Sequence, residues 1–367
     1  GVQTCALPIS VSVHRFETRL PVVDRPGPSE TRVVCRVATD DGLAGFGMTA
    51  RFLPAAVEAA IRRHLGPAII GLDPRRPAQA IERLLPLVSE RGVANGVNRA
   101  ALSCIDLALW DIAAKARGAR VSDLFGGRAD DAPAYVTCGF PDLDRDELAA
   151  LGKAVADEGF ETIKRVVGGA HGLAEDVARV RAVRDAVGAS VGLAIDANER
   201  LSYATALRLC LILGDIDLAW FEDPVANNDA RDLASLRASA RVPVAAGQMD
   251  GSARRFREFA EADALDIFMP NSMYNGGFSE TQRVAALASV HERPLSDAGG
   301  GGVYCLHHMT AFPGAALAEV HLGALELERQ LLEDAPRVAG GRSRLPDGPG
   351  FGAEPRAEVL RETRVAT

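Results

Sequence analysis

What this 367-residue chain lacks already narrows its class. It has no apolar run approaching the ~18–20 residues that a membrane-spanning helix needs. It has no dense Lys/Arg tract, and 41 basic against 49 acidic residues leave a formal net charge of −8. Such a chain suits neither a phosphate backbone nor an anionic surface, so neither nucleic acid nor membrane is expected as a partner. The cysteines Cys5, Cys35, Cys104, Cys138, Cys210 and Cys305 stand apart, with no CxxC pair. That spacing indicates neither a zinc ribbon nor a redox couple, and it reads as buried thiols in a reducing compartment. The first ten residues carry neither the basic start nor the long apolar stretch of a secretory signal, so the expected location is cytoplasmic. No GxGxxG follows the first strand-like run, which counts against an open dinucleotide-binding sheet.

What is present is the composition of a folded protein, with 47% hydrophobic and 25% charged residues. The length suits two domains, or one large α/β barrel with an accessory piece. Residues 11–20 and 31–40 alternate with period 2, and Asp41-Gly42 supplies a turn into a third strand-like run, GLAGFGM. Helical spacing of apolar residues follows over 54–65, 76–90 and 97–117. Strands followed by helices predict an α+β domain over 1–130.

From about residue 133 the rhythm changes. Short β-rich runs at 134–139, 161–167, 191–196, 218–223, 242–247, 265–270, 293–297 and 315–320 alternate with amphipathic stretches such as 173–188. Eight such strands, each separated from the next by helix, predict a closed parallel barrel over 131–325. Residues 326–367 are predicted to pack back on the first domain.

Active-site residues of such barrels stand at the C-terminal ends of the strands. Those ends carry Lys164, Asp196 with Asn198, Glu222 with Asp223, Gln248 with Asp250, Asn271, Asp297 and Glu319. The intervals 222 − 196 = 26 and 248 − 222 = 26 are each one βα unit, so three consecutive strands aim one oxygen ligand at the same place. Hard oxygen donors of this kind suit Mg²⁺. Taken singly, each acidic strand end also reads as a helix N-cap; the regular set reads as a metal site.

These segments resemble the enolase superfamily, in its mandelate racemase and muconate lactonizing enzyme branch. TDDGLAGFG (39–47) resembles its N-terminal hairpin, and ALSCIDLALWDIAAKARGARVSDLFGG (101–127) the signature ahead of the barrel. GFETIKRVVGG, LAIDANERLS, WFEDPV, VPVAAGQ, FMPN and PLSDAGGGG follow in the family's order. The resemblance implies an α/β fold, a (β/α)7β TIM-type barrel with an N-terminal α+β capping domain. It implies a small-molecule carboxylate substrate, Mg²⁺-assisted removal of the proton α to that carboxylate, and a homo-oligomer. It places the metal on Asp196, Glu222 and Gln248, with Asn198, Asp223 and Asp250 in support.

The match departs from the pattern at the bases. Lys164 takes the first position of the family's Lys-x-Lys, but the second is Val166. The third metal ligand, normally Glu, is Gln248, which costs the site one negative charge and weakens the expected hold on Mg²⁺. The usual dyad Asp is Asn271, and no His stands near Asp297. Glu319 matches the eighth-strand Glu that contacts the substrate carboxylate. The expected catalytic residues are therefore Lys164, Asp297, Glu319 and Asn271, with either Asp297 or a neutral, buried Lys164 as base. Tyr274, His307 and His308 are weaker candidates, the histidines reading mainly as helix packing, and Met48 as core. The glycine run 299–302 reads as an anion cradle or a plain loop. Loops 21–29 and 49–55, the latter with Arg51 and Phe52, are expected over the barrel mouth. Dehydration of an acid sugar or related hydroxy acid is the favoured reaction, because racemisation needs two opposed bases. The alternatives are a racemase or cycloisomerase, and a relative that binds without reacting.

Overall fold

The computed structural model describes residues 7–20, 25–27, 29–89 and 96–365. The alternating runs pair as an antiparallel sheet of Leu7–Phe16, Glu30–Ala38 and Ala44–Ala50. One face of that sheet buries Val11, Val13, Val33, Cys35 and Val37 against helices, as period 2 requires. Helix Val97–Lys115 lies on this face. Gly47 permits the approach, since a Cβ there would come within 2.0 Å of the Cys104 carbonyl oxygen. Helix Pro77–Ser89 forms as expected, whereas 54–65 is split. Pro54–Ala60 is α-helical, and Ile61–Leu65 winds as one wider π turn. Of loop 21–29, residues 21–24 and 28 lie outside the described residues, as does Cys5. The other five cysteines are buried free thiols, and Met48 is core.

The barrel strands are Asp131–Gly139, Thr162–Val166, Gly192–Asp196, Leu218–Glu222, Val244–Ala246 and Ile267–Phe268, paired in parallel in sequence order. The seventh, predicted over 293–297, shrinks to a single bridging residue, Leu295, between Phe268 and Ala315. Pro294 has no N–H to extend that ladder, although its carbonyl accepts from the Phe268 amide at 3.0 Å. The eighth strand, Ala318–His321, pairs in parallel with the first (Glu319↔Tyr135, His321↔Thr137) and closes the ring. Helices Arg145–Asp157, Leu173–Val187, Tyr203–Ile212, Ala230–Ala240, Ala253–Glu261, Phe278–Val290 and Gly302–Ala311 occupy the seven crossovers. Tyr135, Ala194, Trp220, Ala245, Met269 and Ala298 fill the barrel interior. The last residues return to both parts. Arg342–Arg344 pairs with the first barrel strand, and Arg364–Val365 with the outer strand Leu7–Phe16.

Among the contacts that fix the N-terminal part over the barrel are two from side-chain donors. The Trp110 indole N–H donates to Ser279 Oγ at 2.9 Å, and the Thr49 hydroxyl donates to the Met273 carbonyl. The second contact is at the barrel's C-terminal end, where the polar strand ends stand. Among the described residues no helix is long and apolar enough to cross a membrane.

Candidate active site

Strand alternation points Lys164 into the barrel and Arg165 outward. Lys164 is buried at the centre of a carboxylate box. Its Nζ lies 2.6 Å from Glu222 Oε1, 3.1 Å from Glu319 Oε1 and 3.4 Å from Asp196 Oδ2. Lys164 comes from the second strand and these partners from the fourth, eighth and third. Burial opposes the lysine charge, but Glu222, Glu319 and Asp196 outweigh it and hold the pKa above the usual lysine range. The neutral Lys164 allowed by the sequence is thus not the form of this state. Arg165 is buried outside the barrel and donates to the Val166 carbonyl at 2.8 Å.

Glu319 is held on both oxygens. Oε1 accepts from the Thr137 hydroxyl at 2.6 Å and Oε2 from the Gly300 amide at 2.5 Å. One amide of the glycine run, that of Gly300, meets an anion, and that anion is the protein's own. Burial would raise the Glu319 pKa, but Lys164, His321 and these two hydrogen bonds bring it down to about 2.

Glu222 and Asp223 lie on the other side of the lysine. Glu222 Oε2 accepts from the Trp220 indole at 3.2 Å. Burial raises the Glu222 pKa far above normal despite Lys164, and Asp196 adds to the rise. Burial, then Asp196, pushes Asp223 up to about 8. Asp196, Glu222 and Asp223 each offer an oxygen within 4.8 Å of one another. Burial and crowding that raise the pKa values of Glu222 and Asp223 leave the set short of positive charge, and such a donor set fits a divalent cation.

Gln248 enters this set through its nitrogen, since Nε2 donates to Asp223 Oδ2 at 2.8 Å. Gly299, at φ 77°, leaves room for the Gln248 Oε1, which a Cβ there would approach to 2.5 Å. Asp223 Oδ1 also accepts from Asn228 Nδ2 at 2.9 Å, and Asn228 reaches Asp250 Oδ2 at 3.2 Å. Asp250 is thus a supporting residue one step removed. Asn198 serves through its backbone, its N–H donating to Asp196 Oδ1 at 2.8 Å.

Asn271 spends its amide on local structure. Nδ2 donates to the Ala298 carbonyl at 2.6 Å, and Oδ1 accepts from the Met273 N–H at 2.8 Å. Asp297 is buried, and its Oδ1 accepts from the Glu319 N–H at 2.6 Å. Burial, then Glu319, drives its pKa well above normal, which favours the protonated form. His307 and His308 are packing residues. His307 Nδ1 accepts from the Ser122 N–H at 3.1 Å, and His308 Nε2 meets Ser272 Oγ at 3.0 Å. Tyr274 is buried with its ring edge-on to Phe52 of the N-terminal part, centroids 5.8 Å apart.

Four inward residues escaped the sequence reading. The Tyr135 hydroxyl, 3.5 Å from Lys164 Nζ, donates to the Asp297 carbonyl at 2.8 Å. Thr137 and Trp220 hold Glu319 and Glu222, as described above. His321 stands two residues beyond Glu319. Trp220 and His321 stand two residues from Glu222 and Glu319, so period 2 counted outward from those positions would have found them, whereas the first strand held no recognised position from which to count to Tyr135 and Thr137.

Residues 11–126 match the mandelate racemase / muconate lactonizing enzyme N-terminal domain, and residues 147–359 the enolase C-terminal domain-like family. The chain is 30% identical over 368 residues to a D-galactarolactone cycloisomerase of Agrobacterium fabrum, covering 96% of each. It is 30% identical to an arabinonate dehydratase of Saccharolobus solfataricus, covering 90% of each. An L-talarate dehydratase of Polaromonas sp. JS666, solved with Mg and L-glucarate, superposes with a TM-score of 0.84 at 28% identity over 98% of each chain.

Proposed function

The chain belongs to the mandelate racemase and muconate lactonizing enzyme branch of the enolase superfamily, and from that premise we propose that it dehydrates an acid sugar or related hydroxy acid. The observation that carries this reading is the buried Lys164 between Glu222, Asp196 and Glu319, with Asp297 buried at the end of the seventh strand. Asp196 and Glu222, with Asp223 drawn in by Gln248, would hold Mg²⁺. When bound, that ion supplies positive charge that stabilises the enediolate formed when a carboxylate loses its α-proton.

The chain's own residues do the rest. Lys164 keeps its proton only while three carboxylates surround it. With Asp196 and Glu222 otherwise engaged, burial lowers its pKa toward that of a general base, and it takes the α-proton. Asp297 gives its proton to the departing β-hydroxyl, which leaves as water. The enol that remains becomes a 2-keto acid. Glu319, with both oxygens bonded, positions Lys164 rather than binding substrate. Named acid-sugar dehydratases among the relatives support the reaction class. Exchange of Glu for Gln at 248 makes the metal site a weak one. A homo-oligomer is the assembly we infer from the family.

The test is to incubate the protein with Mg²⁺ and a panel of acid sugars and to assay for 2-keto acid. Product with wild type, and none with Glu222→Gln, supports the reading. No product from any acid sugar, or equal product from Glu222→Gln, overturns it. The likeness to the cycloisomerase favours one second reading, ring rearrangement of a lactone. It conserves mass where dehydration loses water, so the product mass separates the two.

A further inference from the structure

The seventh strand is the weakest member of the ring, a single bridging residue, and Asp297 stands just past it. Its ladder ends with the Ser296 N–H, which donates to the Phe268 carbonyl at 2.9 Å. Beyond that point side-chain donors take over. Asn271 Nδ2 donates to the Ala298 carbonyl at 2.6 Å, and the Tyr135 hydroxyl to the Asp297 carbonyl at 2.8 Å. Tyr135 belongs to the first strand, which pairs with the eighth and not with the seventh. Its side chain therefore crosses the barrel interior to reach Asp297.

The tyrosine is held firmly while it does so. It is fully buried, and Trp220 meets its ring edge-on with centroids 4.9 Å apart. Trp220 is itself tied to Glu222 through its indole N–H. On another side, Lys164 Nζ stands 5.3 Å from the centre of the Tyr135 ring, within cation–π range, and 3.5 Å from the hydroxyl. A hydroxyl in an apolar interior costs free energy unless it is bonded, and phenylalanine would fill nearly the same space. The Tyr135 hydroxyl meets that cost by bonding the backbone of the proposed acid.

One side chain thus touches both residues to which the dehydratase reading gives a proton to move. We infer that Tyr135 is a positioning residue that sets the separation of Lys164 and Asp297. Its ring seats the ammonium, and its hydroxyl fixes the backbone that carries the acid. The proton transfers of this pair rest on the dehydratase reading; the hold on Asp297 does not.

Tyr135→Phe keeps the ring, and with it the seat of Lys164, and removes the bond to Asp297. Lys164 also keeps Glu222 at 2.6 Å and Glu319 at 3.1 Å. Wild type and variant are compared in D₂O with Mg²⁺ and a panel of acid sugars. The C2 hydrogen still passes to Lys164 Nζ, whose other hydrogens are deuterium. Departure of the C3 hydroxyl as water needs the Asp297 proton, and a displaced Asp297 delays it. The ammonium then returns a deuteron to C2, and the recovered substrate carries the label. Misplacing a reacting group by 1 Å costs on the order of a hundredfold. Formation of 2-keto acid should therefore fall about ten- to a hundredfold in kcat, with KM within about threefold. Label in recovered substrate per keto acid formed should rise by a similar factor. Backbone amide exchange, followed by mass spectrometry, needs no turnover. Residues 295–298 should exchange faster in the variant, and the second-strand residues 162–166 should not. A merely structural tyrosine would lower dehydration and labelling together, and that result overturns the proposal. Unaltered amide exchange at 295–298 overturns it as well. If wild type neither dehydrates nor labels any acid sugar, the dehydratase reading falls, and faster exchange confined to 295–298 still supports the hold on Asp297. If wild type dehydrates and Tyr135→Phe matches it in kcat, the positioning role falls and the dehydratase reading stands.

Discussion

Replacing Lys164 by methionine keeps the side-chain volume and removes the charge from the carboxylate box. In the metal-free protein, Glu222, Glu319 and Asp196 then lose the cation that stands 2.6, 3.1 and 3.4 Å away. Breaking a buried ion pair from one side costs about 3–5 kcal/mol, because the partner stays buried and uncompensated. Proton uptake by one carboxylate caps the loss. Added Mg²⁺ should behave in the opposite sense. Two of the three oxygens that hold Lys164 belong to proposed metal residues, so ammonium and ion compete for them. Removing the ammonium should tighten Mg²⁺ by roughly 1–3 kcal/mol, about one to two decades in Kd. Because a bound ion stabilises by RT ln(1 + [L]/Kd), saturating Mg²⁺ then returns much of the lost stability. Turnover stays absent, since the proton acceptor is gone. Urea unfolding in chelator and in excess Mg²⁺, with calorimetry of the metal, measures all three effects. A Lys164→Met protein as stable as wild type in chelator, or one that binds Mg²⁺ less tightly, would refute the shared-oxygen reasoning.

Two other substitutions probe the same electrostatics. Gln248→Glu turns the 2.8 Å hydrogen bond to Asp223 into a contact between two acceptors. The metal-free protein should lose roughly 2–3 kcal/mol, while its thermal response to Mg²⁺ grows; an unaltered melting point with an unaltered Mg²⁺ response counts against Gln248 as a member of the site. Glu328, buried away from the site and accepting from the Val303 amide at 2.9 Å, has its pKa raised by burial from 4.5 to about 7. An acid raised on folding is harmless below its unfolded pKa and costs stability as pH climbs to the folded one. Glu328→Gln should therefore match wild type near pH 4 and exceed it by up to about 3 kcal/mol above pH 7; a difference that does not change with pH in denaturation curves would contradict the assignment.

The barrel was legible because its signal is repeated and local: a buried strand, a helix, and a polar residue where the strand ends. The weak members of the ring were less so. Pro294 cannot donate to a ladder, and the seventh strand survives only as the bridge at Leu295. Asp196 and Glu222 could be named from the sequence because each ends its own strand, and Lys164 and Glu319, inside theirs, because they match the family's pattern. The charge on Lys164 could not, because it depends on three carboxylates converging from separate strands, and a lone buried lysine would tend the other way. Gln248 illustrates the same limit. Its type announces a lost charge, but only the folded chain shows its nitrogen, rather than its oxygen, turned to Asp223. Tyr135, Thr137 and Trp220 looked like ordinary strand residues, and their role lies wholly in which inward neighbour they reach.

The asymmetry of the mouth bears on the choice of reaction. A racemase must both remove and return a proton on either face of one carbon, so it needs an acceptor on each side. On the second-strand side there is Lys164. Elsewhere on the ring, Asn271 is tied at both ends of its amide to Ala298 and Met273, and Asp297 is an acid whose pKa is raised, which favours its protonated form. The proposed pair, one donor and one acceptor, is the wrong pair for inversion and the right pair for elimination, in which one group takes the α-proton and the other releases the hydroxyl as water. Raising Asp297 and holding Lys164 both depend on Glu319, which adds negative charge to the first and shares an oxygen with the second. The carboxylate matched in the sequence as a substrate contact thus biases the protonation of both groups proposed as base and acid.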